Sequence, residues 1–361
     1  MGKNGKLDKT IFFLGRRIAP LYWGDYYFTN NRSPGRASKI WTLFFFRLTS
    51  GLAGWLSGPK KKSAQDAAWL AAKNRIESRF SATSVPTIHH DEFGSAELLP
   101  KIRATWLVHP KDFPVLAHSV SGVVQKSLNH VSEILIITPD PNQATALIQK
   151  LDLQNVTCRV EHENDFLTNA ARKRLRTVFG DEYGTGLQRV VTTTSSLDQS
   201  VNGTLVIDAD TVLLTSKPWL GPDGRQLMYF RSFIDPSYQR FLETWGMTEI
   251  DYARQFVTHH MMLQPKLLDQ ALNHVFGTSN SDDLVEIICE SVLKLKSVYF
   301  CLEYEVYAQY VNHYFPQLFE YDKYTNLNMR RPSNPSQLDE IIRGRSRNPL
   351  YNSLSFHHYL G

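Results

Sequence analysis

Two aspartates that directly follow a short apolar run are the clearest candidates for chemistry in this sequence. Residues 203–207 read as a short buried strand, which leads into Asp208-Ala209-Asp210. Carboxylates at the carboxyl end of a buried strand lie where open α/β sheets bind ligands, and burial there is unfavourable unless a cation joins them. Oxygen ligands with positions left open for phosphate groups suit Mg²⁺ or Mn²⁺. We therefore expect Asp208 and Asp210 to hold Mn²⁺ or Mg²⁺ together with a phosphorylated substrate.

The acidic pair follows a series of short apolar runs that alternate with segments of helical period. Residues 104–108, 133–138 and 156–160 read as strands, and residues 143–151 and 168–189 are among the segments that read as helices. This alternation is typical of βα units that build a parallel sheet. The second run is apolar almost throughout, as strands buried on both faces are. The sequence therefore predicts an α/β fold, with a mostly parallel sheet flanked by helices and the aspartates at the end of its fourth strand.

The acidic strand also carries a resemblance to a known family. Residues 205–214, Leu-Val-Ile-Asp-Ala-Asp-Thr-Val-Leu-Leu, follow three βα units and resemble the D-x-D strand of nucleotide-sugar glycosyltransferases with the GT-A fold, a Rossmann-type sheet. The resemblance extends to a family of uncharacterised glycosyltransferases through residues 186–189, 256–263 and 303–307, and it covers about residues 100 to 325. It implies an enzyme that moves a hexosyl or related sugar from a nucleoside-diphosphate donor to a glycan, lipid or protein acceptor. Asp208 and Asp210 would bind the divalent cation and the donor diphosphate.

The same resemblance implies donor-binding roles for residues on either side of the predicted sheet. Arg189, with Gln188 beside it, matches the basic position ahead of the acidic strand and would stabilise the charge of the departing nucleotide. Lys111 and Asp112 follow the first strand, where the nucleoside lies in this fold. The simpler alternatives are a solvated helix face for Arg189 and an ordinary polar loop for Lys111 and Asp112.

Three histidines are further candidates for the site. His259 and His260 lie in the segment 256–263, and if this segment is a strand their rings point to opposite faces, so at most one faces the site. A buried histidine with a structural role is the alternative for either. His358 begins a His-x-x-Gly element similar to the one that supplies a third metal ligand in retaining transferases of the glycogenin kind, and an untethered tail is the alternative there.

Two glutamates are candidates for the base that an inverting transferase needs to accept the proton of the acceptor hydroxyl. Glu303 and Glu305 lie in a Glu-Tyr-Glu run that reads as the start of a helix. Acidic residues in a first turn are also favourable merely because of the helix dipole. On a helix, residues two apart diverge, so only one of them could serve, and we prefer Glu305.

Two other classes of protein remain as alternatives. Asp-x-Asp-x-Val after an apolar strand also resembles the nucleophile loop of haloacid-dehalogenase-type phosphatases, in which Asp208 would attack phosphorus and Asp210 would act as acid and base. That loop normally opens its domain, whereas three βα units precede it here. A catalytically silent protein that keeps the GT-A-like sheet only for binding is the other alternative. P-loop, H-E-x-x-H and G-x-S-x-G motifs are absent from the sequence.

The net charge of +5 is unevenly distributed along the 361 residues. The first 80 residues hold 15 basic and 4 acidic side chains, which leaves 25 and 31 for the remainder. Between residues 36 and 62, an apolar stripe is flanked by basic residues, so it either contacts an anionic membrane surface or packs on the globular domain. We therefore divide the chain into a basic, partly amphipathic, helical extension over residues 1–95 and a GT-A-like domain over residues 96–361.

Cysteine content and the N-terminal pattern bear on the compartment and the partners. The three cysteines form no C-x-x-C, which argues against a disulfide framework and a structural zinc site. The apolar run 11–14 is too short for a secretory signal. No recognisable nucleic-acid-binding module accompanies the basic residues. We expect a cytoplasmic protein, peripheral on a membrane if the stripe binds lipid, with no nucleic-acid partner.

Overall fold

The computed structural model describes residues 96–153, 156–232, 234–346 and 351–357. The N-terminal extension over residues 1–95, its stripe between residues 36 and 62, and His358 lie outside the described residues, so these remain predictions. Within the described ranges, no helix is both long and apolar enough to cross a membrane. In chain order the strands are β1 (Ile102–Leu107), β2 (Val131–Thr138), β3 (Thr157–His162), β4 (Thr204–Ile207), β5 (Thr211–Leu213), β6 (Gln226–Ser232), β7 (Arg254–Gln255), β8 (His260–Leu263), β9 (Phe319–Lys323), β10 (Asn326–Arg330) and β11 (Ser353–His357). The helices are α1 (Phe113–Lys126), α2 (Pro141–Ile148), α3 (Asn169–Phe179), α4 (Tyr183–Ser195), α5 (Pro236–Thr244), α6 (Pro265–Phe276), α7 (Ser281–Leu295), α8 (Tyr307–Tyr314) and α9 (Pro335–Ser346).

The central sheet has five strands in the order β3-β2-β1-β4-β8. β1 pairs in parallel with β2 and β4, β2 pairs in parallel with β3, and β8 runs antiparallel to β4. The chain therefore builds the sheet outward from β1 in one direction and then returns to add β4 on the other side of β1. The predicted α/β fold, with a mainly parallel sheet flanked by helices, is confirmed.

Local sequence signals begin the helices that flank this sheet. Proline lies in the first turn of α1 and of α2, where its missing N–H and its fixed φ are tolerated. At the start of α2, the Asp140 side chain accepts a hydrogen bond from the backbone N–H of Gln143 at 3.1 Å. Leu116, Val120 and Val123 recur at helical spacing along α1 and are buried in the core beneath the sheet. Helix α1 thus packs in the same core as the strand that leads into the acidic pair.

A second sheet joins the carboxyl-terminal strand to the acidic segment. Its order is β10-β11-β5, with β11 parallel to β10 and antiparallel to β5. β5 begins directly after Asp210, so β11 is paired with the residues that follow the acidic pair. Side chains from β5, β11 and α9 pack in a small core of their own that includes Val212, Leu338 and Leu354. A third sheet, β7-β6-β9, completes the set of described strands.

Two segments depart from the elements that the sequence predicts. The helix expected from residue 301 begins as a π-helical turn, Leu302–Val306, and becomes α-helical only at Tyr307. The strand considered over residues 256–263 is limited to His260–Leu263. His259 has a φ of 61°, a left-handed conformation that no strand continues through. Residues of both segments contact the side chains of the site, and these contacts account for the two unusual conformations.

Candidate active site

Asp208 and Asp210 lie at the carboxyl end of β4, next to the carboxyl end of β1. The strand order reverses at this point, because β2 and β3 lie on one side of β1 and β4 lies on the other. Ligands of open α/β sheets bind in the crevice outside the strand ends at such a reversal. β4 is fully buried, whereas the side chains of Asp208 and Asp210 are 26% and 18% exposed. The pair therefore emerges from the core where a ligand can reach it.

Asp208 is held by His259 through a side-chain contact and a backbone contact. Nδ1 of His259 lies 2.6 Å from Oδ2 of Asp208, and the backbone N–H of Asp208 donates to the carbonyl oxygen of His259 at 2.8 Å. Burial acts to raise the pKa of Asp208, but the His259 hydrogen bond and the nearby charges of His259 and Arg189 lower it below its ordinary value. This carboxyl group is therefore kept ionised, as a cation ligand must be.

Asp210 is paired with His357, which β11 brings to it. Nδ1 of His357 lies 3.1 Å from Oδ2 of Asp210, and Nε2 lies 3.0 Å from Oδ1 of Asn328 on the neighbouring strand β10. The backbone N–H of Phe356 donates to the carbonyl oxygen of Asp210 at 2.9 Å, so strand pairing fixes the approach. The rings of His259 and His357 are 5.5 Å apart. We call Asp208, Asp210, His259 and His357 together the Asp-His cluster.

The donor set of the Asp-His cluster suits a cation that is shared with a substrate. In the described part of the chain, no three His, Cys, Asp or Glu side chains are arranged to hold a metal ion. Mg²⁺ is commonly bound through only one or two carboxylates, with waters and substrate phosphates as its remaining ligands. Two carboxylates at an open crevice fit this mode, and among the described residues no hydrogen bond occupies Oδ1 of Asp208. Both ring nitrogens of His357 are engaged by Asp210 and Asn328, so this histidine holds Asp210 in place.

Arg189 lies beside the cluster in an ion pair with Glu303. The two side chains join α4 to the turn 302–306, and they are 17% and 1% exposed. Burial raises the pKa of Glu303, although the charge of Arg189 opposes the shift. Nε of Arg189 and Oε2 of Glu303 have no hydrogen-bond partner among the described residues. The charge of Arg189 also contributes to the lowered pKa of Asp208.

Glu305 points away from Glu303 and anchors the segment that precedes His259. Its Oε1 accepts the backbone N–H of Phe256 at 2.7 Å, and its Oε2 accepts a hydrogen bond from Gln309 at 3.1 Å. The side chain is fully buried, and burial raises its pKa to about 7. The two glutamates therefore diverge from the turn. Both carboxylates are enclosed in this structure, and the base role of either stays a prediction.

The residues expected near the nucleoside lie in the turn that follows β1. Asp112 forms an ion pair with Arg331, and the carbonyl oxygen of Lys111 accepts a hydrogen bond from the same guanidinium. Arg331 also donates to the carbonyl oxygen of Phe356 at 3.1 Å. This arginine therefore ties the turn after β1 to the strand that carries His357. Gln188 is half-buried on α4, and no described residue forms a hydrogen bond with its side chain.

His260 faces the protein interior. Its ring lies 5.3 Å from Trp219, 5.1 Å from Tyr229 and 5.6 Å from Tyr324, all in edge-on contact. It is 1% exposed, and burial lowers its pKa to about 3. The two adjacent histidines thus point in different directions, and His259 is the one that contacts the acidic pair.

Sequence reasoning missed two residues that the fold brings to the site. His357 precedes the predicted ligand His358 by one position, and only the pairing of β11 with β5 shows that it meets Asp210. Arg331 stands in a polar segment with no motif around it. Its partly buried ion pair with Asp112 joins residues 219 positions apart, and no local pattern signals such a contact.

Comparison with solved structures shows a distant structural similarity. No family model matches the chain, and no curated protein matches it. Among solved structures, the apo form of mouse xyloside xylosyltransferase 1 aligns with 72% of this chain and 99% of its own length. The sequence identity is 11% and the TM-score is 0.37. A similarity of this size indicates nothing about activity or substrate.

Proposed function

We propose that this protein is a metal-dependent glycosyltransferase that moves a sugar from a nucleoside diphosphate to a hydroxyl group of a glycan, lipid or protein. The observation that carries the proposal is the position of Asp208 and Asp210 at the carboxyl end of β4, where the strand order reverses. Two partly exposed carboxylates at that crevice suit a cation with a diphosphate, and Arg189 beside them suits the same anion.

The residues of the crevice have different roles in the proposed reaction. Asp208 and Asp210 would hold Mn²⁺ or Mg²⁺, with His358 as the further ligand that the sequence predicts. The bound cation supplies positive charge that stabilises the departing nucleoside diphosphate. Arg189 adds a second positive charge on the side of α4. Lys111 and Asp112, in the turn after β1, would contact the nucleoside.

Removal of the proton from the acceptor hydroxyl is the role predicted for Glu305 or Glu303. Both carboxylates are enclosed, so this role requires the turn 302–306 to open toward the acceptor. Burial raises the pKa of Glu305 to about 7, which suits a base that works near neutral pH.

The phosphatase alternative gains no support from the other adjacent aspartates after the acidic pair, Asp282 and Asp283. Both residues lie in the first turn of α7, and their backbone N–H groups are capped by the side chain of Asn280 at 2.9 and 3.3 Å. Acidic residues are favourable there because of the helix dipole. Helix capping therefore accounts for this pair without a catalytic role.

Calorimetry of nucleotide binding tests the proposal directly. We expect UDP or GDP to bind the wild-type protein only when Mn²⁺ or Mg²⁺ is present. Asp210→Asn should weaken this binding on the order of 100-fold, which corresponds to about 2.7 kcal/mol. Asp181→Asn, at an exposed aspartate in the turn 180–182, is the matched control and should bind as the wild type does.

Two results would contradict the proposal. One is the absence of any cation-dependent nucleotide binding by the wild-type protein. The other is release of phosphate from a simple phosphate ester that is lost in Asp208→Asn, because an aspartyl nucleophile predicts that outcome.

A further inference from the structure

The backbone of His259 is strained, and no local element explains the strain. Among the described residues, only His259 and Lys296 are non-glycine residues with a positive φ, at 61° and 50°. Lys296 ends helix α7, where a left-handed residue is the common way for a helix to stop. His259 ends no helix. A residue with a Cβ atom is unfavourable in this conformation, so the surrounding structure must impose it.

Contacts on both sides of His259 impose the conformation. On the carboxyl side, His260 is paired with Ile207 as the first residue of β8. On the amino side, the Glu305 carboxylate holds the backbone N–H of Phe256 at 2.7 Å, and the Thr258 hydroxyl donates to the carbonyl oxygen of His260 at 2.9 Å. The chain is therefore fixed at each end of a sharp turn, with His259 at its corner.

A glycine at this corner would make the same turn without strain, but it would have no side chain to offer. The imidazole of His259 is 21% exposed and lies at the edge of the crevice, so it does little to fill the core. Its specific contact is with Asp208, at 2.6 Å between Nδ1 and Oδ2. An ionised carboxylate only accepts hydrogen bonds, so Nδ1 carries the proton and donates it.

We propose that His259 is a positioning residue for Asp208, whose strained backbone is retained because Nδ1–H of its ring orients the carboxylate toward the crevice. We expect His259 to orient Asp208 in this way in the metal-free protein. Its use in holding a cation rests on the function proposed above. Carboxylate ligands of metal sites are generally held by hydrogen bonds from groups outside the coordination shell.

Melting temperatures of two substitutions test the strain. His259→Gly and His259→Ala both remove the imidazole. Glycine costs about 0.4 to 1 kcal/mol more entropy on folding, but alanine carries roughly 1 to 2 kcal/mol of strain at a positive φ, so the strain decides the order. We expect the glycine variant to melt about 2 to 6 °C higher than the alanine variant. Lys296→Gly and Lys296→Ala, at the exposed left-handed residue remote from the acidic pair in sequence, should differ in the same direction. An alanine variant at position 259 that melts as high as the glycine variant would overturn the claim of strain.

Nitrogen NMR of the metal-free protein tests the contact with Asp208. The His259 ring should be protonated at Nδ1, and its ¹⁵N signals should shift in Asp208→Asn. The positioning role would be overturned if the ring were protonated only at Nε2, or if its ¹⁵N chemical shifts were the same in Asp208→Asn and in the wild type. This holds whatever the function of the protein.

Mn²⁺ binding in the presence of UDP, measured by electron paramagnetic resonance of the free ion, tests the use of the contact. His259→Gly and His259→Ala should weaken Mn²⁺ binding by about 10- to 100-fold. His259→Asn should stay within about threefold of wild type, because asparagine tolerates a positive φ and its amide can donate to Asp208. Lys296→Gly should not change the affinity. Wild-type affinity in His259→Gly would refute the inference, whereas a wild-type protein that binds no Mn²⁺ with UDP would refute the proposed function instead.

Discussion

Asp208 and Asp210 are two positions apart, yet each is held by a different part of the chain. His259, the residue just before β8, contacts Asp208, and His357, at the end of β11, contacts Asp210. In each case the backbone of the histidine or of its neighbour is also hydrogen-bonded to the backbone of the aspartate. The carboxylates are therefore held on two sides by hydrogen-bonded segments, which limits the rearrangement that ligand binding requires.

The raised pKa of Glu305 leads us to expect a specific dependence of folding stability on pH. Its pKa is raised to about 7 by burial, so between about pH 4.5 and 7 the folded state holds a proton that the unfolded state releases. The stabilisation is fully present below that interval and is lost as the pH rises through it. We expect this group to lower the free energy of unfolding by roughly 2 to 3 kcal/mol between pH 5 and pH 8, and Glu305→Gln to remove that decrease.

Urea denaturation at pH 5, 6, 7 and 8 measures the effect. Glu290→Gln, at an exposed glutamate on α7, is the matched control and should keep the wild-type slope. An identical pH slope in Glu305→Gln and wild type would show that the buried carboxyl group does not titrate in this range.

At the scale of elements, the π-helical turn 302–306 links two segments of the site. Glu303 reaches α4 through Arg189, and Glu305 reaches the segment before His259 through Phe256. A π-helical turn widens the spacing of the side chains, and such turns are frequent at functional sites. The turn thus connects the proposed phosphate ligand Arg189 with the segment that positions His259.

The ion pair between Arg189 and Glu303 gives a prediction at this scale. Arg189→Gln leaves the Glu303 carboxylate buried without its partner, so we expect a loss of about 3 to 5 kcal/mol in the free energy of unfolding. Adding Glu303→Gln removes the unpaired charge and should recover at least about half of the loss. Chemical denaturation of the two single variants and the double variant measures this. A double variant no more stable than Arg189→Gln would argue that the pair is not buried as described.

At the scale of the whole molecule, the excess of basic residues lies in the N-terminal part of the sequence, more than 100 residues before the acidic pair. Net positive charge is concentrated in the first 80 residues, and the remaining residues carry more acidic than basic side chains. An apolar stripe with flanking lysines favours an anionic lipid surface. We propose that residues 36–62 bring the protein to such a surface, which would suit a lipid or membrane-bound acceptor.

Sedimentation with lipid vesicles tests this proposal on the full chain. Replacing Lys60, Lys61 and Lys62 together by glutamine should weaken binding to phosphatidylserine vesicles on the order of 100-fold, at about 1 kcal/mol per lysine. The same change at Lys3, Lys6 and Lys9 is matched in charge but lies outside the stripe, and it should have a smaller effect. Equal sedimentation of wild type and both variants would contradict membrane binding through the stripe.

The order and type of most elements near the site were predictable from the sequence. The strand predicted at 104–108 lies at Ile102–Leu107, and the strand predicted at 203–207 lies at Thr204–Ile207. The π-helical turn and the left-handed residue were not predictable. Both depend on contacts with distant residues, Arg189 in one case and Glu305 in the other, and these contacts override local preference.

The sequence alone determined the βα alternation and the position of the acidic pair after the fourth predicted strand, because apolar periodicity is a local property of the chain. Only the tertiary structure decided which side chains meet that pair. His259 and His357 are 51 and 147 residues away from the aspartates that they contact. Contacts over such distances follow from strand order and register, which are set by the packing of the whole sheet and leave no signature in the neighbouring sequence.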